Sequence, residues 1–261
     1  MSLAEQYGPW ALITGASEGT GRAFAHRLAD ERINCILVAR RDAPLQALAS
    51  EIRAKGVECI TASVDLSSND ATDKIVAAVG GREIGLLITN AGADINGARF
   101  LDNEIGDWDQ LVNLNVVTTM RNCHHFGRLM RTRGRGGMIL VGSGACYGGI
   151  SGIAVYTGAK AFDLCFGEGL WADLRPHGVH VLNLILSKTN TPAYRKLLER
   201  DAQPMPTDWA SPDDVAKTGL ARLAFGPTFN WGQEDDVAGF APNSPAIRRA
   251  RILAIEAMTK G

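Results

Sequence analysis

The amino-acid sequence predicts an α/β fold, a doubly wound parallel sheet of six or seven strands with helices on both faces, and three observations carry that expectation. Six short aliphatic or β-branched runs recur: "WALIT" (10–14), "NCILVA" (34–39), "ECITASV" (58–64), "GLLITN" (85–90), "GMILVGS" (137–143) and "VHVLNLIL" (179–186). Longer segments with apolar residues three and four apart lie between them, at 19–31, 42–55, 67–79, 107–132 and 155–175. Strands that alternate with helices imply a parallel sheet covered on both sides. Finally, no Ser/Gly linker, charge block or internal repeat interrupts the series, so residues 1–261 are expected to form one domain.

The first strand runs into "TGASEGTG", Thr14 to Gly21, and then into a helix with Ala23, Phe24 and Leu28 on its apolar side. A glycine-rich turn between strand and helix lets backbone N–H groups approach a pyrophosphate, and the helix N-terminus adds partial positive charge. Gly15, Ser17, Glu18, Gly19, Thr20 and Gly21 are therefore candidate dinucleotide contacts, with a mere tight turn as the alternative. The second strand ends in "LVARRD", where a carboxylate would accept the ribose hydroxyls of NAD; Ala39 stands there instead, followed by Arg40 and Arg41. Two guanidinium groups suit a 2′-phosphate, which favours NADP(H) over NAD(H). Asp42 either caps the next helix or binds ribose. The fourth strand ends in "TNAG", where the small residues of Asn90, Ala91 and Gly92 allow backbone to approach the cofactor ribose.

"YTGAK" sets Tyr156 and Lys160 four residues apart, on one face if the stretch is helical. Hydride transfer at a carbonyl carbon needs a matching proton transfer at the oxygen. A free tyrosine, with a pKa near ~10, is a poor base at neutral pH, and a lysine ammonium close by favours the phenolate. Ser143 ends its strand thirteen positions before Tyr156, placed to hydrogen-bond a substrate oxygen. Asn115, in "LNLNVV", is positioned to hold a local helix distortion and a water leading to the lysine.

Together these residues resemble the short-chain dehydrogenase/reductase family from residue 10 to about 225: the T-G-x-x-x-G-x-G loop, "DL" at Asp65–Leu66, "NAG", then Asn, Ser and Y-x-x-x-K in the family's order. The resemblance implies a Rossmann-like fold, Tyr156 as general acid/base, and Lys160 as its activator and a partner of the nicotinamide ribose. It implies that Ser143 steadies the substrate oxygen and that Asn115 maintains a proton relay. Asp65 looks like the residue that meets the adenine amino group, with a backbone contact from Leu66. Glu18 occupies a position where some NADP-preferring relatives carry a basic residue. After the sixth strand, Leu186 and Ser187 stand in place of the family's Pro-Gly; Thr191 still falls where a hydroxyl would meet the carboxamide, with Thr189 as a nearby alternative.

The substrate is expected between "GACYGG", with Ala145, Cys146, Tyr147 and Gly149, and a lid region at about 187–215 that brings Tyr194, Leu198, Met205 and Trp209. Those residues are mostly apolar, which suits a lipophilic carbonyl compound. Cys146 reads as pocket wall, since no neighbour in sequence supplies a base or cation. "DAQPMPTDWASPDD" and an irregular C-terminal segment at about 226–247 read as loops, with a short strand near 228–231.

A formal net charge of -1 gives no attraction for a polyanion, so nucleic acid is not an expected partner. Five cysteines without a C-x-x-C pair read as reduced thiols, four of them as small buried hydrophobes. The N-terminus has no basic start before a long apolar run and no stretch approaches a membrane span, so the expectation is a cytoplasmic protein with no membrane partner. His124 and His125 point about 100° apart on a helix, and no metal is expected. His177 and His180 read as a polar cap, and the arginines of "RLMRTRGRGG" as solvated cations at a helix C-terminus. Excess apolar positions on 107–132 and 155–175, among them Val116, Met120, Phe162, Phe166 and Leu170, suggest a homodimer or homotetramer. The expected function is NADP(H)-dependent interconversion of a carbonyl and an alcohol; the alternatives are reduction of a C=C bond and a catalytically silent NADP-binding sensor or scaffold.

Overall fold

The computed structural model describes residues 2–94, 96–200, 202–231, 248–250 and 253. Its strands are β1 (Trp10–Thr14), β2 (Asn34–Ala39), β3 (Cys59–Ser63), β4 (Ile84–Thr89), β5 (Gly136–Ser143), β6 (Val179–Leu186) and β7 (Thr228–Trp231). Among the described residues they form one parallel sheet in the order β3-β2-β1-β4-β5-β6-β7. The strand order reverses between β1 and β4, and in an open α/β sheet ligands bind at the carboxyl ends of the strands flanking such a reversal. Thr14–Gly15 and Asn90–Gly92 stand there.

The helices are α1 (Leu3–Tyr7), α2 (Gly19–Asp30), α3 (Asp42–Ala54), α4 (Ala71–Val79), α5 (Ile105–Val112), α6 (Thr118–Arg133), α7 (Ala154–Leu174), α8 (Pro192–Arg200) and α9 (Pro212–Arg222). Side chains alternate across the strands, so β1 sends Ala11 and Ile13 to one face and Trp10 and Leu12 to the other. The first face packs against Phe24 and Leu28 of α2, Leu45 and Leu48 of α3, and Val215 of α9. The second packs against Ile75 of α4, Phe126 of α6 and Trp171 of α7. With apolar cover on both sides, the sheet is the doubly wound one the sequence predicts.

Several elements differ from expectation. The segment 67–79 is helical only from Ala71, because Asp65 Oδ1 accepts from the N–H (3.0 Å) and hydroxyl (2.8 Å) of Ser67 and holds the chain in a turn. The stretch 107–132 is not one helix: α5 and α6 are joined by a π-helical turn, Asn113–Val117. The region read as loops and lid contains two helices, with Thr191 Oγ1 accepting from the N–H of Tyr194 at the start of α8 and Ser211 capping α9. The short strand near 228–231 forms as expected, while 232–247 lie outside the described residues.

Cys165 is exposed rather than buried. His180 does not cap; its Nδ1 shares a 2.7 Å hydrogen bond with the Tyr7 hydroxyl, which pins α1 to β6. Arg133 and Arg135 are not simply solvated: Arg133 donates to the Ile84 carbonyl at 2.6 Å, and both meet Glu83. No helix among the described residues is long and apolar enough to cross a membrane.

Candidate active site

The ends of β1 and β4 are stitched into one floor. Asn90 Nδ2 donates to the carbonyls of Thr14 (3.2 Å) and Gly15 (3.1 Å), and Thr14 Oγ1 accepts from the N–H groups of Asn90 (3.1 Å) and Ala91 (3.2 Å). Side chains have no room here. A Cβ on Gly21 would lie 2.3 Å from the Gly15 carbonyl oxygen, and one on Gly15, itself at φ +64, would lie 2.9 Å from Ala91 Cα. Ser17, Glu18 and Gly19 are part-exposed above this floor, Thr20 is buried, and Glu18 makes no side-chain cap, so the first N–H groups of α2 lack one. A shallow glycine floor beneath an uncapped helix N-terminus fits a pyrophosphate.

At the end of β2, Arg40 is exposed, and Arg41 donates to Glu18 across the glycine loop at 2.5 Å. Asp42 opens α3 without capping it and accepts from Gln46 at 3.2 Å. Asp65 is exposed, and its hydrogen bonds from Ser67 hold its carboxyl below the usual range. Leu66 is buried, and its carbonyl accepts from Thr118 Oγ1 at 2.8 Å.

Three of the four expected catalytic residues gather beside β4. Lys160 and Asn115 are buried, at 3% and 0% exposure. A Cβ on Gly92 would lie 2.6 Å from Asn115 Oδ1 and 2.9 Å from Lys160 Nζ, so the glycine of "NAG" makes room for both. Asn115 sits in the π-helical turn and donates to the carbonyls of Leu111 (3.0 Å) and Ala93 (3.4 Å), while its Oδ1 is buried without a hydrogen-bond partner among the described residues. The π turn thus leaves a buried acceptor next to an ammonium. Lys160 Nζ lies 5.8 Å from the Tyr156 ring centroid and 3.4 Å from the carbonyl of Val141, two residues before Ser143. The part-buried Tyr156 packs against Trp108, Leu111 and Ala159. Ser143 Oγ accepts from the N–H of Ala145 at 3.2 Å, which leaves its O–H to donate elsewhere.

A further residue at this cluster escapes a sequence reading built on family motifs. Asp163 Oδ2 lies 3.1 Å from Lys160 Nζ, and the two bury together. Burial works against the lysine charge, but Asp163 and then Tyr156 outweigh it, leaving Lys160 above its ordinary value.

The expected pocket residues divide. Ala145 and Tyr147 are part-buried and Gly149 is exposed; the Tyr147 hydroxyl donates to Asn230 Oδ1 at 2.6 Å. Cys146 packs inward against Leu164 and Ile185, and burial pushes its thiol up to about 12. Thr191 lies against the glycine loop, its Cγ2 3.1 Å from a Cβ built on Gly19. Thr189 is buried, with its hydroxyl donating to the Ser187 carbonyl at 3.2 Å. Tyr194 is part-buried, Leu198 is buried and Met205 exposed, while Trp209 carries the Arg195 guanidinium 5.0 Å over its ring. Among the described residues no group of three His, Cys, Asp or Glu side chains could hold a metal ion.

The chain is 34% identical over 194 residues to a 7beta-hydroxysteroid dehydrogenase of Collinsella aerofaciens, covering 74% of this chain and 73% of that protein. It is 33% identical over 195 residues to a very-long-chain 3-oxoacyl-CoA reductase of Podospora anserina, covering 73% of this chain but only 57% of that relative's length. A solved structure from a study of 7beta-hydroxysteroid dehydrogenase stereoselectivity superposes with a TM-score of 0.84 at 27% identity, covering 97% of this chain and 99% of the other. The family model for the short chain dehydrogenases matches residues 9–202, and the chain belongs to that family.

Proposed function

We propose that the protein is an NADP(H)-dependent oxidoreductase that interconverts a ketone or aldehyde and the corresponding alcohol on a lipophilic small molecule. The observation that carries this reading is the buried Lys160, which shares the space at Gly92 with Asn115 and lies next to the Tyr156 ring. Binding a dinucleotide needs no such pairing of a buried cation with a phenol; proton transfer does.

When bound, the nicotinamide supplies or takes up the hydride. Tyr156 gives its phenolic proton to the substrate oxygen during reduction and takes it back during oxidation. Lys160 stabilises the phenolate by charge. Ser143 donates its free O–H to the substrate oxygen and orients the carbonyl for attack. The unpartnered Oδ1 of Asn115 would hold a water that leads to Lys160 and through which the Tyr156 proton is replenished. Gly15, Ser17, Gly19, Thr20, Gly21 and the Asn90–Gly92 backbone would hold the pyrophosphate and ribose. Thr191, beside Gly19, is better disposed toward the carboxamide than Thr189. Asp65 and Leu66 would flank the adenine.

Arg40, exposed at the end of β2, supports NADP(H), since it offers a 2′-phosphate a charge-assisted donor while Arg41 is held by Glu18. Similarity to relatives that act on steroids and long-chain acyl groups supports a lipophilic substrate. Tyr147 and Tyr194, with Met205 and Trp209, supply apolar surface for it. Exposed Leu101, Ile105, Met120 and Leu129 on and beside α5 and α6 support a homo-oligomer. Five cysteines in an odd number and without a C-x-x-C pair support a cytoplasmic setting.

NADPH oxidation measured against ketones of graded bulk, a steroid ketone and a 3-oxoacyl thioester among them, tests the reading. Turnover that favours bulky apolar ketones, with NADPH ahead of NADH, is the expected result. NADPH binding without turnover on any carbonyl contradicts it.

A further inference from the structure

We propose that Asp163 is a positioning residue of this reaction: its buried carboxylate holds the Lys160 ammonium charged beside Tyr156 and so sets the pH range over which Tyr156 exchanges its proton. The inference rests on the reading of Tyr156 as acid/base.

Three facts of geometry carry it. Asp163 lies one turn beyond Lys160 on α7, and its Oδ2 is 3.1 Å from Nζ. Both side chains are shut away from bulk solvent, at 5% and 3% exposure. The other carboxylate oxygen, Oδ1, is buried without a hydrogen-bond partner among the described residues. Among the described residues the carboxylate's hydrogen-bond partner is the lysine.

The ionisable groups facing the pair come from three elements. Tyr156 shares α7, Cys146 approaches Lys160 from the turn after β5, and Cys123 approaches Asp163 from α6. Burial keeps both thiols neutral by raising them, so Asp163 is the one carboxylate in this group. Burial also raises the Asp163 carboxyl, and Lys160 offsets part of that rise; each ion depends on the other. Without the carboxylate, Lys160 would be an unpaired buried amine, which loses its proton more easily. Tyr156 would then lack a cation beside it, and its phenolate would form only in more alkaline solution.

The test compares parent, Asp163→Asn and Asp163→Glu in two measurements: the pH profile of alcohol oxidation, and the ultraviolet titration of phenolate in the apoprotein. The chain has four tyrosines, so the Tyr156 contribution is isolated by subtracting the Tyr156→Phe titration. Asp163→Asn is expected to displace both curves to higher pH by about one unit or more, lowering turnover at pH 7 about tenfold, with the KM for NADP little changed. Asp163→Glu, which keeps the charge, is expected to stay near the parent's position. Lower turnover in Asp163→Asn with unmoved or acid-displaced curves overturns the proposal. If Asp163→Asn does not fold, Asp163→Glu decides: its curves hold at the parent's position, or the proposal fails. Parental turnover in Tyr156→Phe would instead remove the acid/base reading beneath it.

Discussion

Arg41 is already spoken for. Its guanidinium meets Glu18 at 2.5 Å, so the charge offered to a 2′-phosphate comes first from Arg40, which is exposed. Arg40→Ala should therefore raise the KM for NADPH by about 10- to 100-fold, the worth of a hydrogen bond to a charged group, and leave the KM for NADH within a few-fold. Glu18→Gln should act oppositely, freeing Arg41 and lowering the KM for NADPH. Steady-state KM values for both cofactors check the pair. The residues proposed as catalytic stood out at this scale because their types and spacings are tied to chemistry. Asp163 was not, because an acidic residue three positions from a lysine on a helix usually marks a solvated pair, and its burial depends on where α7 meets β5. The turn of Cys146 away from solvent was unreadable for the same reason.

Among the elements, the glycine turn has the least freedom. Gly21→Ala would drive a methyl into the Gly15 carbonyl, so β1 and α2 must part. We expect a loss of about 1–3 kcal/mol of stability and a clearly weaker NADPH affinity, read by thermal melts with and without cofactor. The six strands and the turn stood out because buried parallel strands are written as unbroken apolar runs. The π turn did not, since one extra residue in a helix barely alters a three-and-four periodicity; Asn115 alone hinted at it. α8 and α9 were missed despite a signal, because Thr191–Pro192 and Ser211–Pro212 each put a capping hydroxyl before a helix-starting proline.

Across the whole molecule, stability should depend on pH through two histidines. Burial holds His180 below the ordinary value where it bonds Tyr7, and holds His26 low near α3, with Lys55 and Arg22 adding to the effect. A histidine depressed in the folded state binds fewer protons there than in the unfolded chain, so its contribution is complete above the unfolded value near ~6.5 and is lost as pH falls from there through the lower folded value. Carboxylates held low by pairing, such as Asp213 beside Arg27, act only below about pH 4. Melting temperature should thus decline from pH 7.5 to 5.5, and His180→Gln should flatten part of that decline. An unchanged slope would mean that His180 does not carry the pH dependence. The account as a whole stands on proton exchange at Tyr156. The most direct measurement sets turnover of a bulky ketone by Tyr156→Phe beside the affinity of the same variant for NADPH. We expect turnover to fall by about 10²- to 10⁴-fold with affinity within a few-fold of the parent; turnover that survives the loss of one hydroxyl would contradict the account.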